Sequence, residues 1–136
     1  MWNERISVAG DADGYIQRFY KAFNRYDCVL SHLSLFEEGV TDSNPGGLTK
    51  LNGLGWLRGS NCPHYDGEAD RRPSYQQLIV TGQLGGGRAA DDGVALHYRG
   101  DELYRVVSSR PAARAYEVDV RDGQIVETEI VPDYLG

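Results

Sequence analysis

The sequence predicts an α/β or α+β domain with a strand-rich C-terminal half, and three observations carry that reading. An amphipathic helix from about Asp11 to Arg25 runs directly into the short apolar stretch Cys28 to Phe36. A second helix is expected from about Pro73 to Thr81. Beyond the glycine run Gly85 to Gly87, short alternating runs separated by turn residues continue almost to the last residue. At 136 residues the chain holds one domain, 1–136, and a chain of this size buries roughly two thirds of its unfolded surface.

In the first helix Ile16, Phe19, Tyr20 and Phe23 fall at i, i+3, i+4 and i+7, which puts them on one face. Asp11 or Asp13 can cap its start, and Gln17, Arg18, Lys21 and Asn24 fill the wet face. The run 28–36 contains neither Gly nor Pro and is expected to be a buried strand, parallel to its neighbours given the helix before it. From Glu37 to Gly55 the residues Gly39, Asn44-Pro45-Gly46-Gly47 and Gly53 read as loop. Leu54 to Leu57 is a short strand candidate leading into Gly59-Ser60-Asn61-Cys62-Pro63-His64-Tyr65-Asp66. In the second helix Pro73 suits the first turn, Tyr75, Leu78 and Ile79 share a face, and Gly82 suits the position just past the end. Strands are expected at 88–91, 93–98, 102–108, 113–120 and 124–131, with a hairpin turn at Arg121-Asp122-Gly123-Gln124.

Charge and composition exclude several functions. The 14 basic and 20 acidic residues give a net charge of −6, which disfavours nucleic acid and anionic membrane as partners. No apolar run approaches the roughly 20 residues of a spanning helix, and no signal-peptide core begins the chain, so a cytoplasmic location is expected. Two cysteines, Cys28 and Cys62, are too few for a disulfide scaffold.

His64 is the first candidate for chemistry. It lies in a Pro-His-Tyr-Asp turn between an expected strand and a helix, where catalytic groups of α/β sheets collect; the plain alternative is a loop histidine with a local hydrogen bond. Asp42, in Val40-Thr41-Asp42-Ser43, could orient such a histidine or could cap a turn. Cys62 is better read as inert than as a nucleophile paired with His64. Cys62, His64, Asp66 and the distant His32 show no zinc spacing, and no cofactor is expected. His97 alternates with apolar residues and reads as a structural strand residue. The glycine run follows a helix, so it is no phosphate loop. The sequence contains no Gly-x-Ser-x-Gly, and so no nucleophile elbow.

The segment Gly59-Ser60-x-Cys62-Pro63-His64-Tyr65-Asp66-Gly67-Glu68, followed by Arg71-Arg72-Pro73, resembles the peptidase E family of serine peptidases, the aspartyl dipeptidases. The likeness continues through Asp91-Asp92-Gly93-Val94-Ala95-Leu96-His97, Val106 to Pro111 and Ala113 to Tyr116 to the end of the chain. Upstream, Phe36-Glu37-Glu38-Gly39-Val40-Thr41-Asp42-Ser43 is similar to the segment just after the family's nucleophile. Residues 7–36 resemble an earlier part of the family, its first helix and second strand. The resemblance implies a truncated sheet like that of class I glutamine amidotransferases, flavodoxin-like, with a β-rich C-terminal part. It also implies an internal deletion joined at Leu35-Phe36, separating 7–36 from 37–136, and a shortened start. Kept in register, the family's serine falls at Val29.

By this resemblance His64 is the general base and Asp42 orients it, while Glu68 and Arg71 match a Glu-x-x-Arg pattern for an acidic substrate side chain. The expected substrate is a small peptide, an Asp-X dipeptide, and the expected state of this chain is inactive for lack of the elbow. Ser60 or Ser43 could stand in as nucleophile only without elbow context. The alternative is a non-catalytic remnant or a partner-binding pseudo-enzyme. A sheet cut in its middle exposes an edge, so self-association is a further expectation.

Overall fold

A computed structural model describes residues 29–30, 35–41 and 47–136. The helix expected over Asp11 to Arg25 lies outside them. The described elements are β1 (Val29–Leu30), β2 (Phe36–Thr41), β3 (Thr49–Asn52), β4 (Leu57–Cys62), α1 (Arg71–Val80), β5 (Gly87–Ala90), β6 (Val94–Arg99), β7 (Glu102–Ser108), β8 (Ala115–Arg121), β9 (Gln124–Ile130) and β10 (Asp133–Tyr134). The fold class is α/β, with mixed sheets and a strand-rich C-terminal part, consistent with a truncated flavodoxin-like sheet.

The larger sheet has six strands in the order β3-β2-β4-β5-β8-β9. Its centre is parallel, β2 beside β4 and β4 beside β5, and antiparallel strands flank it on both sides. The helix α1 connects β4 to β5 and covers one face. Tyr75 and Ile79 pack there with Val40, Cys62, Ala89 and Val118. The smaller sheet, β1-β6-β7-β10, covers the other face. Phe36, Leu57, Ala90 and Ala115 meet Val94, Leu96, Tyr98 and Val106 between the two sheets. Successive residues of β5 serve both layers, Ala89 toward α1 and Ala90 toward the second sheet, as the two-residue period of a strand requires. In β2, Phe36 and Val40 should share a face by that period. A register shift between Phe36 and Glu38 places them in opposite layers.

Several boundaries differ from the sequence reading. The single strand expected at 28–36 is not one strand. Val29–Leu30 pairs antiparallel with Tyr98 and His97 in the smaller sheet, whereas Phe36 opens a different strand in the larger one. Apolar content marked both segments as buried but could not separate them. The division between 7–36 and 37–136 therefore falls inside β2. The stretch from Glu37 to Gly55 is not all loop, since it holds most of β2 and all of β3. Its glycines hid a half-exposed edge hairpin in which Gly39 itself pairs with Leu51. The strand expected at 54–57 begins at Leu57 and runs to Cys62.

The helix starts at Arg71, two residues before the expected Pro73. Pro73 still sits in the first turn, where its missing N–H costs no helical bond. Gly82 takes a left-handed φ of +72° just past the end, as expected. The strand 102–108 is as expected, the neighbouring strands shift by one or two residues, and β10 was not foreseen. Its two residues pair in parallel with Val107 and Ser108. At the hairpin, Asp122 and Gly123 have φ of +52° and +75°, the paired positive angles of a tight turn that matches strand twist. Among the described residues no helix is long and apolar enough to cross a membrane.

Candidate active site

Two parallel neighbours, β4 and β5, end side by side at Cys62 and Ala90. The loops leaving those ends carry His64 and Asp92. His64 takes a left-handed backbone, φ +56°, a conformation costly for any residue with a Cβ. Neighbours fix the turn, with Tyr65 N–H donating to the Ala90 carbonyl at 3.0 Å and Gly67 N–H donating to the His64 carbonyl at 2.9 Å.

This turn aims the imidazole at the adjacent loop. His64 Nδ1 lies 2.6 Å from Asp92 Oδ1. A carboxylate only accepts, so Nδ1 carries the hydrogen and the neutral ring keeps its lone pair on Nε2. The two side chains are 43% and 35% exposed, open enough to meet a small substrate. Nε2 has no partner among the described residues, and a histidine oriented through Nδ1 with Nε2 open is the arrangement of a general base.

Asp42 and Ser43 lie outside the described residues. Asp92 is the carboxylate that the described structure brings to His64. In the sequence Asp92 stands out only within the family resemblance, yet an Asp-Asp-Gly turn closing a central strand is a usable signal. Its neighbour in the chain, Asp91, is buried, and burial pushes its carboxyl up although it accepts the Arg114 N–H at 2.9 Å.

Ser60 is fully buried inside β4. Its Oγ donates to the Gly85 carbonyl at 2.6 Å and lies 2.7 Å from the Tyr75 hydroxyl, which removes it as a substitute nucleophile. Cys62 is equally buried, and burial pushes its thiol up to about 12, the state of an inert cysteine. His97 is buried in β6 and meets the Tyr104 ring edge-on at 5.1 Å.

Arg71 and Glu68, which the resemblance assigns to an acidic substrate, meet each other. Arg71 Nε donates to Glu68 Oε2 at 2.6 Å, and Nη1 reaches the Pro63 carbonyl at 3.4 Å. The guanidinium is only 3% exposed, so in this geometry it braces the turn that carries His64.

Comparison with known proteins gives the same direction. The family model of peptidase family S51 matches residues 35–106. An uncharacterized peptidase of Bacillus subtilis, YgaJ, is 39% identical over 191 residues, covering 96% of this chain and 83% of the relative. That matched span exceeds the chain's 136 residues by 55, so at least 55 of the relative's residues have no counterpart here. The match takes in β2, β4, α1 and β5, together with the loops that bear His64 and Asp92. This chain belongs to peptidase family S51, the peptidase E family of serine peptidases.

Proposed function

We propose that this chain retains the proton-transfer half of a serine-peptidase site and lacks the half that attacks, so it does not hydrolyse Asp-X dipeptides at a useful rate. The observation that supports the retained half is His64 Nδ1 at 2.6 Å from Asp92 Oδ1, beyond the ends of two parallel strands.

In an intact site of this kind a serine oxygen attacks the scissile carbonyl while its proton passes to the histidine Nε2. The carbonyl electrons move onto oxygen, where backbone amides hold the oxyanion. The histidine then returns the proton to the departing amine. His64 and Asp92 have the orientation for both proton transfers.

The missing half is supported by sequence. No Gly-x-Ser-x-Gly occurs, the resemblance kept in register puts the family's serine at Val29, and at least 55 residues of the relative's span are absent. The described serine hydroxyls that could stand near the site are engaged elsewhere. Ser60 bonds Gly85 and Tyr75, Ser108 bonds the Arg110 carbonyl, and Ser109 bonds the Gly93 carbonyl. Losing nucleophile and oxyanion donors together should cost several powers of ten in rate, since each alone costs on the order of a hundredfold or more.

The test uses the purified 136-residue protein with an Asp-X dipeptide and a serine-reactive phosphonate. The expected result is turnover no faster than that of His64→Ala and no probe adduct. Stoichiometric labelling that disappears in His64→Ala would overturn the reading.

A further inference from the structure

The dyad's two loops are tied by a second set of contacts that uses neither His64 nor the Asp92 carboxylate. Asp66, two residues beyond His64, accepts the Asp92 backbone N–H on Oδ1 at 2.7 Å. Its other oxygen, Oδ2, accepts Arg110 Nη1 at 2.9 Å. The same Nη1 donates to the Asp92 carbonyl at 3.0 Å. Asp66 thus holds the amide side of Asp92 and Arg110 holds its carbonyl, and the two are joined to each other.

Arg110 is itself set in place. Its backbone N–H donates to Ser108 Oγ at 3.0 Å, and Ser108 Oγ donates back to the Arg110 carbonyl at 2.8 Å. Beside it, Ser109 N–H donates to the Gly93 carbonyl at 3.0 Å. Three loops, after β4, β5 and β7, are therefore stitched around one residue.

We infer that Asp66 and Arg110 are positioning residues that clamp the Asp92 peptide and thereby set its carboxylate against His64 Nδ1. The inference rests on the reading of His64–Asp92 as a proton-transfer pair and adds what fixes its geometry. Asp92 stands in a turn followed by Gly93, whose φ is +75°, so its orientation is not dictated by strand geometry. Charge-assisted bonds at both ends of the residue remove that freedom. Where the supporting contacts are absent, a pair of this kind loosens before the fold does.

The readout is the tautomer of neutral His64, followed through its imidazole 15N shifts at a pH where the ring is uncharged. The three histidines are assigned with His64→Gln. In the unaltered protein the Nδ1–H form should dominate, and Asp92→Ala should return the ring to the Nε2–H form that free imidazole favours.

Asp66→Ala and Arg110→Ala should each move the ratio toward Nε2–H by roughly tenfold, the effect of losing a charged hydrogen bond. Asp66→Asn, which keeps an acceptor for the Asp92 N–H, should restore most of it. Amide spectra of α1 and the β8–β9 hairpin report that each variant is folded. Arg110 is half exposed, so Arg110→Ala supplies a folded variant should Asp66→Ala not fold.

If Asp92→Ala shifts the tautomer and neither clamp variant does, the clamp is refuted and the dyad stands. If Asp92→Ala leaves the tautomer unchanged, dyad and clamp both fall.

Discussion

Arg72 on α1 and Glu127 on β9 form an ion pair that fastens the helix to a hairpin 55 positions away. The guanidinium also lies over the rings of Tyr65 and Tyr116, 5.2 and 4.7 Å from their centroids. Glu127 accepts the Tyr65 hydroxyl and, at 2.8 Å, Gln76 Nε2. Burial pushes the Glu127 carboxyl up, but hydrogen bonds from Arg72, Tyr65 and Gln76 outweigh it and hold it below the ordinary 4.5. A carboxyl depressed in the folded state stabilises above its unfolded value, and that stability is lost as pH falls through the folded value. Stability should therefore decline below about pH 4.5. Glu127→Gln should cost about 1–2 kcal/mol at neutral pH, the lower part of the charged range because Arg72 is 45% exposed. Urea melts across the acid range should show a flatter limb in the variant.

Ser60 is expected to matter for stability and not for chemistry. Ser60→Ala strips the buried Tyr75 hydroxyl and the Gly85 carbonyl of a shared partner. A loss of about 1–3 kcal/mol is expected from the unsatisfied groups, read by chemical denaturation. Tyr75→Phe in the same background should recover part of it, because the orphaned hydroxyl is then gone.

The left-handed backbone at His64 gives a signature that separates strain from lost contacts. Both His64→Ala and His64→Gly remove the bond to Asp92, but only glycine relieves the positive φ. His64→Gly should be the more stable of the two by about 1 kcal/mol. Equal melts for the two variants would mean that the turn relaxes once the imidazole is gone.

Gly87 is where β5 presses hardest on β4. A Cβ there would stand 1.9 Å from the Ser60 carbonyl oxygen and 2.5 Å from its nitrogen. Backbone cannot yield that distance without parting the two strands. Gly87→Ala should cost more than about 4 kcal/mol and leave little folded protein, measured by soluble yield and circular dichroism. Gly82→Ala makes the useful contrast, because a Cβ there meets nothing within 4 Å and only its φ of +72° is penalised, at about 1 kcal/mol.

Much of the architecture was legible where one physical signal acted alone. Helical spacing of Tyr75, Leu78 and Ile79 located α1, and Asp122-Gly123 located the β8–β9 turn. Reading failed where signals conflicted. Gly39 looked like a loop marker but pairs inside β2, because a neighbouring strand satisfies its backbone. Leu35 and Phe36 looked like the end of a strand, and only tertiary pairing shows Phe36 to be a beginning. His64 was found from its place at a strand end. Asp92 was not assigned, since pairing β4 directly with β5 is what brings the two loops together, and adjacency of strands is not written in local sequence. The contact between Asp66 and Arg110 was not legible for the same reason, 44 positions apart and joined by side chains.

The order β4, α1, β5 has an evolutionary corollary. His64 and Asp92 are 28 positions apart and belong to one uninterrupted strand–helix–strand stretch of the chain. Heredity moves such a stretch as a single piece. A rearrangement that leaves this stretch uncut keeps the histidine and its acid one helix apart in the same chain. Contiguity keeps the two positions in one piece but shields neither side chain from substitution, so Asp66 and Arg110, which hold Asp92 from two other loops, change independently of it.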